Sequence, residues 1–271
     1  MSDIGLTPSV SNIILALQRI NASIAARQAA LATGLKTQNS LGGAATFIAQ
    51  ELKSQAARLQ VRKDDIALGV TTLHGTLAAI DAIINQVESM KDIANAALAD
   101  NDDQFRESSA EQFDDGIDQL NSLTNDAAVR GTNLIASSPS TLTVLFNEDG
   151  SSKLVVAGTA LTASALGIDA SADTWDDDPD IQAAITDLND ALDTLRATKA
   201  FFENNLALLE TRATFTEELV AKLEEGAGKL VNADPNEEAA ALLALQTRRD
   251  LSLTALSIAA DSDRSIFKLF A

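Results

Sequence analysis

Apolar residues recur at alternating intervals of three and four along several long stretches of this chain. The first stretch begins near residues 7–9, and its stripe consists of Ile13, Leu17, Ile20 and Ile24, followed by Leu31 and Leu35. Comparable stripes run through residues 52–98, 181–230 and 242–270. Such a stripe lies along one side of an α-helix and needs another helix to cover it. The pattern predicts a mainly α fold in which the N-terminal and C-terminal segments pair in a long antiparallel bundle or coiled coil.

The apolar residues are mostly aliphatic, which favours helices packed side by side over an aromatic core. Hydrophobic residues make up 46% of the chain and aromatic residues only 4%, with one Trp and no Tyr. One region departs from the helical period, because residues 141–157 contain two β-type runs around a turn at residues 147–150. We therefore expect one small β-hairpin in the middle of the chain.

Glycine and proline mark the ends of the predicted helices. Gly34 closes the first stripe at the position typical of a helix C-cap, before a loop that contains Gly42 and Gly43. Asp178 and Asp234 are each followed by a proline, so each is expected to be an N-cap with the proline at the first helical position. These signals place interruptions of the helical pattern close to both ends of the chain.

Charge and residue content exclude several classes of function. The chain has no Cys and a single His, so it offers no disulfide and no His or Cys cluster for a metal. Its net charge of −19 disfavours binding to nucleic acid or to an anionic membrane. We expect no cofactor, no metal site and no catalytic residue. We also expect no transmembrane helix and no cleaved signal peptide.

Three blocks of sequence carry a resemblance to a known family. In the first, LALQRINASIAARQAALATGLKTQNSLGGAATFIAQEL, a helix ends in a Leu-x-x-Gly-Leu-Lys turn that is followed by Asn-Ser and an Ala-rich restart. The residues on this helix-break motif are Leu31, Gly34, Leu35, Lys36, Asn39 and Ser40. GTNLIAS at residues 131–137 and an apolar terminal helix from residue 237 follow in order. Together these blocks resemble bacterial flagellin, in a short form without large outer variable domains.

The resemblance implies a structural subunit that self-assembles into the helical tube of the bacterial flagellar filament and serves swimming motility. It implies that residues 1–40 and 234–271 are the two parts of an inner helical domain. Residues 41–233 would then form a rod-like helical domain with the hairpin near residues 141–157. It further implies type III export to the extracellular flagellum in unfolded form, and ends that fold as coiled coil on assembly.

The resemblance also implies partners and packing residues. The partners are other copies of the chain, the junction and cap proteins of the flagellum, and a cytoplasmic export chaperone at the C-terminal region. The apolar ends are expected to pack near the filament axis. The residues expected to make these axial contacts are Ile13, Leu17, Ile20, Ile24, Leu253, Leu256, Ile266, Leu269 and Phe270.

The segment NQVESMKDIANAAL resembles the flagellin stretch that a toll-like innate receptor binds. Flagellins that are recognised carry Arg at the position of Ser89, whereas Lys91, Asp92 and Ile93 keep the general character of the segment. The resemblance implies weak or absent receptor activation, because a central charged donor is missing.

Two other interpretations stay open at this point. A hook–filament junction protein would share the inner domains but would not polymerise indefinitely. A non-flagellar helical-bundle adaptor would bind partner helices through its apolar ends. Growth of the purified chain into long tubes would separate a filament subunit from both alternatives.

Overall fold

The computed structural model describes residues 8–37 and 43–269, and its long helices confirm the predicted mainly α class. The chain divides into two compact units, of which the first contains residues 1–55 and 222–271 and the second contains residues 56–221. The elements in chain order are the helices α1 (Pro8–Thr33), α2 (Gly43–Ala99) and α3 (Asp103–Asp126), the strands β1 (Thr141–Leu145) and β2 (Lys153–Ala157), the short helix α4 (Ala163–Leu166), one 3-10 turn (Asp173–Trp175), and the helices α5 (Asp178–Val231) and α6 (Pro235–Leu269).

The helix ends follow local signals in the sequence. α1 ends before Gly34, whose φ of 68° lies in the left-handed region that glycine tolerates. α6 begins at Pro235, as predicted, and Oδ1 of Asp234 accepts a hydrogen bond from the N–H of Asn236 at 2.8 Å. α5 begins one residue earlier than predicted, at Asp178 itself.

The second unit is built on the antiparallel pairing of α2 with α5. Lys63 pairs with Glu217, and Asp81 pairs with Lys199, so partner numbers fall along α5 as they rise along α2. The buried stripe of α2 repeats every seventh residue at Ile66, Leu73, Ile80, Val87 and Ala94. α3 contributes Phe113 and Leu120 to the same core, and the strands contribute Val144 and Val156.

The predicted β-hairpin is present, and one of its faces completes the core of the second unit. β1 and β2 pair antiparallel, with Thr143 opposite Val155. Val144 and Val156 are buried, whereas Val155 is 52% exposed on the other face. This alternation is typical of a sheet with one face on the core and one face in water.

The acidic loop before α5 is anchored to α3 by packing and by hydrogen bonds. The buried Trp175 ring lies 5.0 Å from the ring of Phe113, measured between centroids. Arg106 is also buried, and its guanidinium donates to the carbonyl oxygens of Asp100 and Asp176 at 2.7 and 3.2 Å. Because these guanidinium N–H groups have hydrogen-bond acceptors, the charge of Arg106 is tolerated although its side chain is buried.

One helix corrects an expectation about membranes. α2 is long and apolar enough to cross a membrane by length and composition, although the sequence was expected to contain no such segment. Its most apolar stretch has a mean hydropathy of 1.5, and 44% of that stretch is buried inside the protein. The apolar side chains of α2 supply much of the core of the second unit, so core packing accounts for this hydropathy.

We predict that Gly158→Ala strongly destabilises the second unit. A Cβ at Gly158 would lie 2.5 Å from the carbonyl oxygen of Leu134, 2.6 Å from that of Ser140 and 2.6 Å from Cβ of Pro139. These backbone and ring atoms cannot rotate away, so the free energy of unfolding should fall by about 2 kcal/mol or more. Urea unfolding followed by Trp175 fluorescence measures this change.

Gly226→Ala, in the first unit, is a control for a glycine-to-alanine change that meets no steric clash. A Cβ at Gly226 would meet Cδ1 of Leu52 at 3.6 Å, an ordinary van der Waals distance, in the interior of α5. Since alanine favours a helix over glycine by about 1 kcal/mol, this variant should unfold at the same urea concentration as the parent or a higher one. A Gly158→Ala chain as stable as the parent would contradict the packing described here.

We predict that Asp187→Asn raises the melting temperature at neutral pH. Burial, followed by the carboxylates of Asp169 and Asp190, raises the pKa of Asp187 from its ordinary value of 3.8. Ionised Asp187 therefore destabilises the folded chain above its folded pKa, and this penalty disappears at pH values below 3.8. Circular dichroism melts at pH 7 and near pH 3 should show the increase only at pH 7. Asp118→Asn, on exposed α3 surface, is the control, and an equal increase there would contradict the prediction.

Candidate assembly site

The interruption after α1 lies beside the interruption before α6. The N–H of Lys36 donates to the carbonyl of Val231 at 2.8 Å, and the N–H of Ala233 donates to the carbonyl of Gly34 at 2.9 Å. The residues between these partners form an isolated antiparallel β-bridge. Residues 34–36 and 231–233, which we name the junction, therefore tie together two helix breaks that are far apart in the sequence.

A small apolar cluster supports the junction within the first unit. Ala49, Ala227 and Val231 are buried there, and Leu52 and Leu230 pack against them. A cavity of about 280 Å³ adjoins this cluster, and its lining residues are Leu35, Lys36, Thr46, Ala49, Gln50, Lys53 and Val231. The junction thus rests on a few small side chains and not on a large core.

An ion pair with a buried carboxylate connects α1 to α6 close to the junction. Nη1 of Arg27 donates to both carboxylate oxygens of Glu238 at 2.8 Å. The Glu238 side chain is 8% exposed and the Arg27 side chain 37% exposed. The hydrogen bond to Glu238 raises the pKa of Arg27, although partial burial opposes the increase. Among the ion pairs of the described residues, this one alone joins α1 to α6.

The predicted N-terminal packing residues lie on the face of α1 that packs against α6 of the same chain. Leu17 and Ile24 are buried there, and Ile13 and Ile20 are half-buried. On α6, Leu256 is half-buried, whereas the predicted residue Leu253 is 49% exposed. The structure therefore brings the N-terminal set together along one helix face, and of the two described C-terminal residues only Leu256 is partly covered.

The other side of the α1–α6 pair exposes large apolar side chains. Leu243, Leu251 and Ile258 of α6 are each 66% exposed, and Leu15 of α1 is 47% exposed. A groove of about 560 Å³ opens between the two helices, and its lining residues are Ala22, Ser23, Ala26, Arg27, Thr37, Ala241, Ala244 and Leu245. The pair thus presents both projecting apolar side chains and a recess lined mainly by small residues.

Several predicted residues fall at the limits of the described structure. Asn39, Ser40 and Phe270 lie outside the described residues. Ile266 and Leu269 belong to α6, but their side chains also lie outside what is described. The rest of the predicted helix-break motif is placed, with Leu31 and Leu35 exposed, Lys36 bonded in the junction through its backbone, and Gly34 ending α1.

The segment that resembles the receptor-binding stretch lies on α2 in the second unit. Ser89 and Asp92 are exposed, and Ile93 is half-buried against the core. Nζ of Lys91 donates to Oδ1 of Asn189 at 2.7 Å, so this lysine is already engaged by α5.

The sequence did not predict the ion pair between Arg27 and Glu238 at this surface. Arg27 continues the spacing of the N-terminal apolar stripe by three residues, so the spacing alone could have placed it opposite a partner helix. Glu238 carried no comparable signal, because acidic residues are also common in the first turn of a helix. No group of three or more His, Cys, Asp or Glu side chains within the described part of the chain could hold a metal.

Comparison with known sequences places these features in one family. Residues 9–140 match the family of the bacterial flagellin N-terminal helical region. The chain is 31% identical to flagellin FljM of Caulobacter vibrioides, over 96% of this chain and 96% of that protein. It is 27% identical to a flagellin of Brucella melitensis, over 96% of this chain and 97% of that protein.

Solved structures show the same fold at lower sequence identity. A Bacillus cereus flagellin aligns with a TM-score of 0.50 at 15% identity, covering 56% of this chain and 88% of that one. A Vibrio parahaemolyticus protein described as flagellar hook-associated aligns with a TM-score of 0.58 at 12% identity. The alignment covers 69% of this chain and 98% of that one. With relatives above 30% identity along nearly its whole length, paired terminal helices and a central hairpin, the chain belongs to the flagellin family.

Proposed function

We propose that the α1–α6 pair is the surface through which copies of this flagellin join into a flagellar filament. The chain is a filament subunit, as its family membership shows. The observation that supports this choice of surface is a group of apolar side chains on α6. Leu243, Leu251 and Ile258 are each 66% exposed. Apolar side chains displayed together at such exposure mark an interaction site.

The same pair of helices offers two different surfaces, as an open filament requires. A helical filament grows through contacts between two unlike patches of neighbouring copies. The side chains of Leu251 and Ile258 project from α6, whereas the groove beside Ala26 and Ala244 is a recess with space for a large aliphatic side chain. Insertion of the projecting side chains into the groove of another copy would bury apolar surface that one copy exposes.

The predicted layers of the filament are part of this proposal. Residues 1–40 and 234–271 would form the inner layer, with Ile13, Leu253 and their stripe neighbours near the axis, and residues 41–233 the surrounding rod. The junction supports these layers, because the point where the chain leaves α1 is hydrogen-bonded to the point where it enters α6. The filament lies outside the cell, and we propose that the chain reaches it through the type III pathway without a cleaved signal peptide.

The proposed partners beyond other copies are the junction and cap proteins of the flagellum and a chaperone that covers the C-terminal region before export. An exposed apolar α6 supports the need for a chaperone, since such a surface would otherwise associate early. The role is structural, and we propose no catalytic activity for the chain.

We predict that Leu251→Ser combined with Ile258→Ser slows seeded filament growth by about tenfold or more, because the apolar contact area is lost. Both side chains are exposed, so helical content and melting temperature should match those of the parent. Ala255→Ser, an exposed position between them, is the matched control and should grow at the parent rate. Turbidity and electron micrographs after addition of filament fragments measure growth.

The same experiment separates the possible functions. Long tubes from the parent chain support the filament subunit, and short structures that stop growing would indicate a hook–filament junction protein. A parent chain that stays monomeric with folded ends would indicate an adaptor. If the double variant grew as fast as the parent, the α6 surface would not be the contact proposed here.

We predict that the parent chain activates a toll-like flagellin receptor weakly or not at all. The exposed Ser89 supplies no charged donor at the centre of the segment, and Lys91 is bonded to Asn189. Ser89→Arg should increase the signal of receptor-bearing reporter cells, while Ser122→Arg, on exposed α3 surface, should not. A strong signal from the purified parent monomer would contradict this prediction.

A further inference from the structure

The ion pair between Arg27 and Glu238 occupies the seam where α1 and α6 pack. On α1 the seam residues recur at alternating intervals of three and four, and Arg27 follows Ile24 in that series. On α6 the series starts at the buried Glu238 and continues through residues that are all half-buried, namely Leu242, Leu245, Arg249, Ser252 and Leu256. Both helices therefore carry a heptad seam, and each contributes one member of the ion pair near the junction, with the buried Ala30 between Arg27 and the end of α1.

The contacts near the junction define how these two seams align. Gly34 bonds to Ala233, and Arg27 bonds to Glu238, so residue numbers fall along α1 as they rise along α6. Counting outward from the ion pair places Ile20 opposite Leu245. In this alignment Arg27 donates hydrogen bonds to both carboxylate oxygens of Glu238.

The aliphatic residues alone specify this alignment weakly. If α1 slid by one heptad, Leu17 would meet Leu242 and Ile13 would meet Leu245, which again pairs aliphatic with aliphatic side chains. The same slide would leave the buried carboxylate of Glu238 against Ile20 and remove the partner of Arg27. An unpaired buried charge is strongly unfavourable, so the ion pair penalises the slipped alignment more than any aliphatic contact does.

We propose that Arg27 and Glu238 are positioning residues whose ion pair sets the register of α1 against α6, and thereby aligns the groove with the projecting side chains used in assembly. This inference rests on the proposed function, because register matters for growth only if the pair is the contact between copies. A polar pair in a helical seam commonly specifies register at some cost in stability.

Cross-linking tests the register directly, because the natural chain contains no cysteine. One reporter carries Ile20→Cys with Leu245→Cys, which are opposite in the observed register, and the other carries Ile13→Cys with Leu245→Cys, which are opposite after a slide of one heptad. A short thiol–thiol cross-linker should join mainly the first pair in the parent background. In the Arg27→Leu/Glu238→Leu background the yield ratio of the two reporters should fall by about tenfold.

The double leucine variant keeps the seam apolar, so a loss of register is distinguishable from unfolding. Its helical content should equal that of the parent, while its seeded growth should be slower by about tenfold. The control is Lys199→Leu/Asp81→Leu, which removes an ion pair between α5 and α2 in the second unit and should leave both growth and cross-linking unchanged.

Two results would overturn the inference. The first is a double leucine variant that cross-links only through Ile20→Cys, which would mean that the junction backbone alone sets the register. The second is a double leucine variant that grows at the parent rate. A parent chain that never grows from seeds would instead refute the proposed function, and the cross-linking ratio in the soluble chain would still report on the ion pair.

Discussion

The antiparallel pairing of α1 with α6 is the contact on which the first unit depends. Both helices are rich in aliphatic residues, and each covers only one side of the other. Because two helices cannot bury more than their shared seam, the outer faces keep Leu15, Leu243 and Leu251 in contact with solvent. The same geometry that stabilises the pair therefore leaves apolar surface exposed, and this is the surface through which we propose that copies of this flagellin join.

The second unit is organised differently, because it has a large core of its own, although Phe201 and Phe215 remain 45% and 53% exposed. α3 and the hairpin cover the α2–α5 pair, and large side chains such as Phe113, Trp175 and Phe202 are completely buried. Such a unit is stabilised by its own core. In the proposed filament, this division would let the second unit fold while the terminal helices remain available for assembly.

Charge has a more specific role in this chain than its net value of −19 suggests. Most carboxylates are exposed, and exposed ion pairs contribute little to stability. The Arg27–Glu238 pair differs because the carboxylate is buried between two helices and both of its oxygens are bonded. Since most of the surrounding seam residues are aliphatic, with Arg249 and Ser252 as exceptions, this pair distinguishes one alignment of the helices from the others.

The sequence by itself determined the long helices, their ends at Gly34 and Pro235, and the central hairpin, because periodicity, capping and turn preferences act over a few residues. Only the tertiary structure decided that the two helix breaks form one junction, that Arg27 meets Glu238, and which side of α6 remains exposed. Those facts depend on contacts between residues far apart in the chain. A heptad stripe indicates that a helix needs a partner, but it does not determine the register of the two helices.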